Sequence, residues 1–256
     1  MGNKTSSGQE NPAYMDKGEA LFRGKTQKKD SRSRHMKLEL IPAILSHDAD
    51  DAQQKAELCA GHVSTVQLDV MDGSFVKNTT WHNATQAKRW SKRLRIELHL
   101  MVQDPLKVMK SWKHIPQFTR AVWHVEANVD STKILDWCAQ HKIQGGLALK
   151  PETPVEAITP YLYHPAFSRA LILGVHPGQS GQKLIPSTKK KVSQLRALRP
   201  KLPIAFDGGI SLRNIDSLAK NGVTAFCIAS AIFKTKDPKI TIQHFLDKLD
   251  RIGHVL

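Results

Sequence analysis

From Lys37 onward the chain alternates eight short apolar, β-rich runs with longer segments of helical periodicity, and this rhythm constrains the fold more than any other feature. Strands are expected at 38–42, 63–69, 95–100, 119–125, 143–149, 169–175, 202–206 and 223–229. Helices are expected at about 48–60, 83–92, 104–112, 130–141, 153–162, 187–198 and 211–221, with the last after Ser230. The stretch 187–198 shows the logic: Pro186 and Ser187 mark a start, Val192, Leu195 and Leu198 recur at helical spacing, and Pro200 stops it. Such alternation fits a doubly wound open sheet or a closed (β/α)8 TIM barrel, and the count of eight favours the barrel.

Residues 1–36 are polar and basic and bury too little to offset their ordering entropy, so a flexible extension is expected ahead of one barrel domain at 37–256. The opening Met1-Gly2-Asn3-Lys4-Thr5-Ser6 fits the N-myristoylation pattern, a short and degenerate signal. No secretory core or apolar run of spanning length is present, which points to a cytoplasmic protein without a membrane span. Cys59, Cys138 and Cys227 lie in apolar stretches without metal-like spacing and are expected as buried free thiols.

The net charge of +15 is unusual, and the extension carries only +4 of it. Nucleic acid is one reading of such an excess and an anionic substrate is the other. No nucleic-acid motif accompanies the charge and no aromatics interleave with the basic runs, which weighs against nucleic acid.

In a barrel of this kind chemistry sits at the carboxyl ends of the strands. The second strand places Gln67, Asp69 and Met71 on one side, opposite Leu68 and Val70. The third carries His99 and Met101, and the seventh ends in Asp207-Gly208-Gly209. A carboxylate in an apolar strand is costly unless paired, hydrogen-bonded or on a metal. A closed barrel brings Asp69 and Asp207 towards each other with His99 between. Two opposed carboxylates suit one acid and one base acting on opposite faces of a substrate, and with His99 they could hold a divalent metal. Gly208-Gly209 and Ala229-Ser230 follow strands seven and eight, the usual phosphate position of this fold.

These residues resemble the ribulose-phosphate 3-epimerase family over nearly all of 38–256, in the family's motif order. The match runs through Ile41-Pro42-Ala43-Ile44-Leu45-Ser46, Leu68-Asp69-Val70-Met71-Asp72-Gly73, Leu98-His99-Leu100-Met101 and His124-Val125-Glu126. It continues through Leu149-Lys150-Pro151-Glu152-Thr153-Pro154, Pro177-Gly178, Gly181-Gln182 and Asp207-Gly208-Gly209. The resemblance implies interconversion of ribulose 5-phosphate and xylulose 5-phosphate through an enediolate, with Asp69 as base and Asp207 as acid. It implies one divalent ion (Zn, Mn, Fe or Mg) held by Asp69, His99, Asp207 and, in doubt, Gln67. Met71 and Met101 would wall the site, and the loop Gly178-Gln179-Ser180-Gly181 would close over the substrate and its phosphate.

Within that resemblance this chain departs at the site. Gln67 stands where the family has His, which disfavours Zn relative to harder Mg or Mn, weakens metal binding or abolishes it. Ala43, Gln179, Ser180, Leu173 and Ala229 also replace family residues, and Gly174 and His176 alter the lid entry. These changes keep two alternatives open: an epimerase of a related ketose phosphate such as allulose 6-phosphate, and a weak or inactive sugar-phosphate-binding or partner-binding barrel. The oligomeric state also stays open.

Overall fold

Each of the eight apolar runs forms a strand: β1 (Glu39–Ile44), β2 (Thr65–Met71), β3 (Arg95–Met101), β4 (Phe118–His124), β5 (Gln144–Leu149), β6 (Phe167–Leu173), β7 (Ile204–Asp207) and β8 (Ala225–Ile228). This computed structural model describes residues 37–90 and 92–256, so the expected extension and its acylation pattern lie outside the described residues. All eight strands pair in parallel in sequence order, and β8 closes on β1. The fold is therefore a (β/α)8 barrel.

The connecting helices depart from expectation in places. α1 (Ala49–Cys59), α3 (Pro105–Trp112) and α4 (Ser131–His141) fall where the periodicity puts them. Among the described residues, the segment at 83–92 contains only one helical turn, α2 (Ala84–Ala87). The segment after β5 is a 3-10 helix, Val155–Tyr161, with Pro160 inside it; proline has no N–H to give an α-helical ladder. α5 (Lys189–Leu198) and α6 (Ile215–Lys220) follow, and the last element divides into α7 (Ser230–Phe233) and α8 (Pro238–Val255). Aspartate starts four of these helices. The carboxylates of Asp48, Asp104, Asp130 and Asp237 accept from first-turn N–H groups at α1, α3, α4 and α8, satisfying donors the helix leaves unpaired.

Two apolar shells result from strand alternation. Outward-facing residues such as Leu68, Leu98 and Phe206 pack against the helices. Inward-facing residues such as Ile41, Val122, Leu171, Ala205 and Cys227 fill the barrel itself. Below that inner layer, at the amino ends of the strands, Glu39 and Glu97 pair with Arg120 and Arg169. The three cysteines are buried and free, and burial alone pushes the Cys59 and Cys138 thiols up to about 12.

Strand β6 stops at Leu173 rather than Val175 because the chain must pass close beside β7. A Cβ on Gly174 would lie 2.4 Å from both the Gly208 carbonyl oxygen and the Phe206 ring. That glycine lets Gly174 N–H donate to the Asp207 carbonyl at 2.6 Å, which holds the end of β7 in place.

Candidate active site

Register carries the polar residues of β2 and β3 to one level, since Gln67 lies beside Glu97, Asp69 beside His99 and Met71 beside Met101. Asp207, at the end of β7, reaches the same level from the other side. His99 Nδ1 stands 3.1 Å from Asp69 Oδ1 and 3.3 Å from Asp207 Oδ2. Gln67 is buried one pleat below. Its Nε2 donates to Asp69 Oδ1 and to Asp207 Oδ2, both at 2.8 Å, and lies 3.4 Å from His99 Nδ1.

Above this cluster opens a cavity of about 380 Å³. Asp69, His99 and Asp207 form its floor, and Met71, Met101 and Leu173 its apolar wall. Gly178, Gln179, Ser180 and Gly181 cover one side, while Gly208, Gly209, Ala229 and Ser230 rim another. Every site residue anticipated from the sequence lines this cavity except Gln67, which supports it from beneath. The covering loop is pinned. Asn78 Nδ2 donates to the Gly178 carbonyl at 2.9 Å, and Gln182 Nε2 donates to the carbonyls of His176 and Gln179 at 2.7 and 2.9 Å.

Several contributors escape a sequence reading. Thr80 Oγ1 donates to the Asp69 carbonyl and accepts from Met71 N–H, bracing the end of β2. His99 Nε2 lies 3.0 Å from His124 Nε2, and His124 Nδ1 lies 3.2 Å from Glu126 Oε2. Glu126 in turn accepts from Lys150 N–H at 2.8 Å. A Cβ placed on Gly181 would stand 3.8 Å from Lys234 Nζ and 3.9 Å from Ser230 Oγ. The Lys234 ammonium therefore lies beside Gly181 of the covering loop. His124, Glu126 and Lys150 carried a sequence signal, in the motifs that follow the fourth and fifth strands; Thr80 and Lys234 carried none.

The sequence profile of the Ribulose-phosphate 3 epimerase family matches residues 39–233, which takes in every strand and every floor residue of the cavity. The chain belongs to the ribulose-phosphate 3-epimerase family. Among its relatives, the ribulose-phosphate 3-epimerase of Aquifex aeolicus is 32% identical over 213 residues, spanning 79% of this chain and 92% of that protein. That of Schizosaccharomyces pombe is 29% identical over 213 residues, spanning 79% of this chain and 90% of that protein. The cytoplasmic isoform from Oryza sativa is 30% identical, spanning 78% and 89%. Among solved structures, 3-hexulose-6-phosphate synthase from Salmonella typhimurium superposes with a TM-score of 0.62 at 14% identity, covering 84% of this chain and 98% of that one. At that identity the likeness speaks for the barrel alone. The epimerase class expected from the motifs is the class of the named sequence relatives.

The electrostatics of this family member's site follow from burial and close pairing. Burial raises Asp69 above the usual carboxylate range and the Asp207 charge adds to it, against hydrogen bonds from His99 and Gln67. Burial works against charging His99, but its bonds to Asp207 and Asp69 outweigh that and raise it to about 10. Burial takes His124 down to about 4, so its ring is neutral at pH 7. A carboxylate only accepts, so Glu126 fixes the His124 proton on Nδ1. His124 Nε2 then accepts from His99 Nε2–H, which leaves His99 Nδ1 directed at the two aspartates.

That arrangement fits a divalent cation. The donor atoms of Asp69, His99 and Asp207 lie within 4.8 Å of one another. The far ring nitrogen of His99 is already held by a second-layer partner, as metal-ligating histidines require. Gln67 Oε1 is buried with no hydrogen-bond partner among the described residues. Turning the amide over would present that oxygen to the centre its NH2 now fills, since the two orientations are close in shape. Two carboxylates, one imidazole and one amide oxygen form a set weighted towards hard cations.

Proposed function

We propose that this protein interconverts D-ribulose 5-phosphate and D-xylulose 5-phosphate by moving the proton at C3 from one face of the sugar to the other. One observation carries this reading: two carboxylates from β2 and β7 converge on a single nitrogen of His99, at the floor of a cavity rimmed by Gly208, Gly209, Ala229 and Ser230. The phosphate would lie against Gly208, Gly209, Ala229 and Ser230, with Lys234 supplying charge. Its anchoring would set C3 over the aspartates, and Met71, Met101 and Leu173 would keep the site dry.

In this assignment Asp69 takes the C3 proton, leaving an enediolate, and Asp207 returns a proton to the opposite face. The reverse reaction exchanges the two roles. Burial raises the Asp69 pKa, the direction that makes its carboxylate a stronger base. Asp69, His99, Asp207 and Gln67 would hold a divalent ion, whose chemistry when bound is to stabilise negative charge on the substrate oxygens. Among the described residues no helix is long and apolar enough to cross a membrane; the rice relative's cytoplasmic form supports a cytoplasmic location.

Turnover of D-ribulose 5-phosphate by the full chain, alone and as Asp207→Asn, tests the assignment. The wild type should turn over and the variant should fold yet lose epimerisation; an active variant would remove the two-carboxylate mechanism.

A further inference from the structure

At the opposite end of the barrel, where the strands begin, lies a second cavity of about 820 Å³. Its floor is the ionic layer of Arg120, Arg169 and Glu39, and seven of its lining side chains are Lys or Arg against the one carboxylate of Glu39. Not all of that charge is available. Arg120 and Arg169 are matched by Glu39 and the deeper Glu97. Arg196 donates to the carbonyls of Pro200, Leu202 and Gly222, closing a helix end in the ordinary way. Four cations then remain around the mouth: Lys37, Arg95, Lys142 and Lys201. All four are exposed, and none has a carboxylate within ion-pair distance among the described residues.

Helix termini do not account for them as a group. Lys142 does cap α4, but Lys37 precedes β1, Arg95 opens β3 and Lys201 lies in the turn entering β7. Four like charges converging on one mouth repel one another, and a bound counter-charge relieves that repulsion. We propose that this basin binds a small anion carrying several clustered phosphate groups. A single phosphate would leave most of the mouth unmatched. The space suits a ligand of nucleotide size, and spread ammonium heads recognise charge density rather than a planar carboxylate. The inner side-chain layer of Ile41, Val122, Leu171, Ala205 and Cys227 separates this basin from the aspartates, so a ligand there does not touch the sugar site. The proposal also accounts for part of the basic excess that the epimerase site leaves unused.

Titration calorimetry of the full chain with inorganic tripolyphosphate tests it, with D-ribulose 5-phosphate present at saturation. One saturable site is expected, weakened as salt rises. The double variant Lys142→Asn, Lys201→Ala should weaken it by about tenfold or more, while epimerase turnover stays unchanged. Asparagine suits residue 142, whose φ is 57°. The control Lys189→Ala, Lys190→Ala removes equal charge from a distant face and should leave affinity as it was. No saturable binding, binding abolished by saturating sugar phosphate, or equal loss in both double variants would each overturn the proposal.

Discussion

Gln67 Nε2 donates to Asp207 Oδ2 at 2.8 Å, joining β2 to β7 across the interior of the barrel. The same nitrogen donates to Asp69 Oδ1, so one amide holds both carboxylates at working distance. Replacing Gln67 with Leu removes both bonds and leaves two buried acids short of donors. We expect a loss of about 1–3 kcal/mol in stability, read as a lower urea midpoint, together with loss of epimerase turnover. Gln67→His should instead tighten divalent-metal retention after dialysis, because imidazole is the better donor. Unchanged retention would show that residue 67 does not face the ion.

The His99–His124 contact predicts a different signature. His124 does not itself line the cavity and acts by holding His99 in one tautomer. His124→Phe keeps the ring's bulk against Phe75 and removes the acceptor. Metal retention and turnover should both fall by about 10–100-fold with little change in melting temperature. A fall in turnover with metal retention intact would assign His124 some other role.

How far the site can be read from the chain depends on how local each signal is. Asp69, His99 and Asp207 stand out because each interrupts an apolar strand at its carboxyl end, and strand parity alone says they share a face. Lys234 gives no such signal. Its ammonium matters only because α7 brings it beside Gly181, more than fifty residues earlier in the chain, and no periodicity encodes that approach. The bracing of Asp69 by Thr80 is hidden for the same reason, being a contact between a strand and a loop. The short α2 and the 3-10 segment at Val155–Tyr161 also departed from expectation. Periodicity marks an apolar face without stating how many turns the space between strands admits.

Lys234→Ala tests the charge at the phosphate rim. The KM for D-ribulose 5-phosphate should rise about fivefold or more with kcat little changed, as for an interaction equally strong in ground and transition states. Lys234→Arg should recover most of the loss. An unchanged KM would place the phosphate elsewhere.

The ionic layer at the barrel's amino end sets an acid limit on stability. Burial alone would raise the Glu39 carboxyl, but the Arg169 and Arg120 charges outweigh it and hold it below its ordinary value of 4.5. A carboxylate depressed in the folded state contributes stability above its unfolded pKa and loses it as pH falls through the folded value. Glu39→Gln should therefore melt about 2–4 °C below wild type at pH 7, with the gap closing at pH values under 4.5. A gap independent of pH would mean that packing, not charge, makes the difference.

The proton transfer at C3 is tested most directly by following D-ribulose 5-phosphate in D2O by NMR with wild type and Asp207→Asn side by side. Two carboxylates on opposite faces predict xylulose 5-phosphate deuterated at C3 from wild type. From the variant they predict ribulose 5-phosphate that exchanges its C3 hydrogen through Asp69 but keeps its configuration. Xylulose 5-phosphate retaining its original hydrogen, or full epimerisation by the variant, would contradict the account.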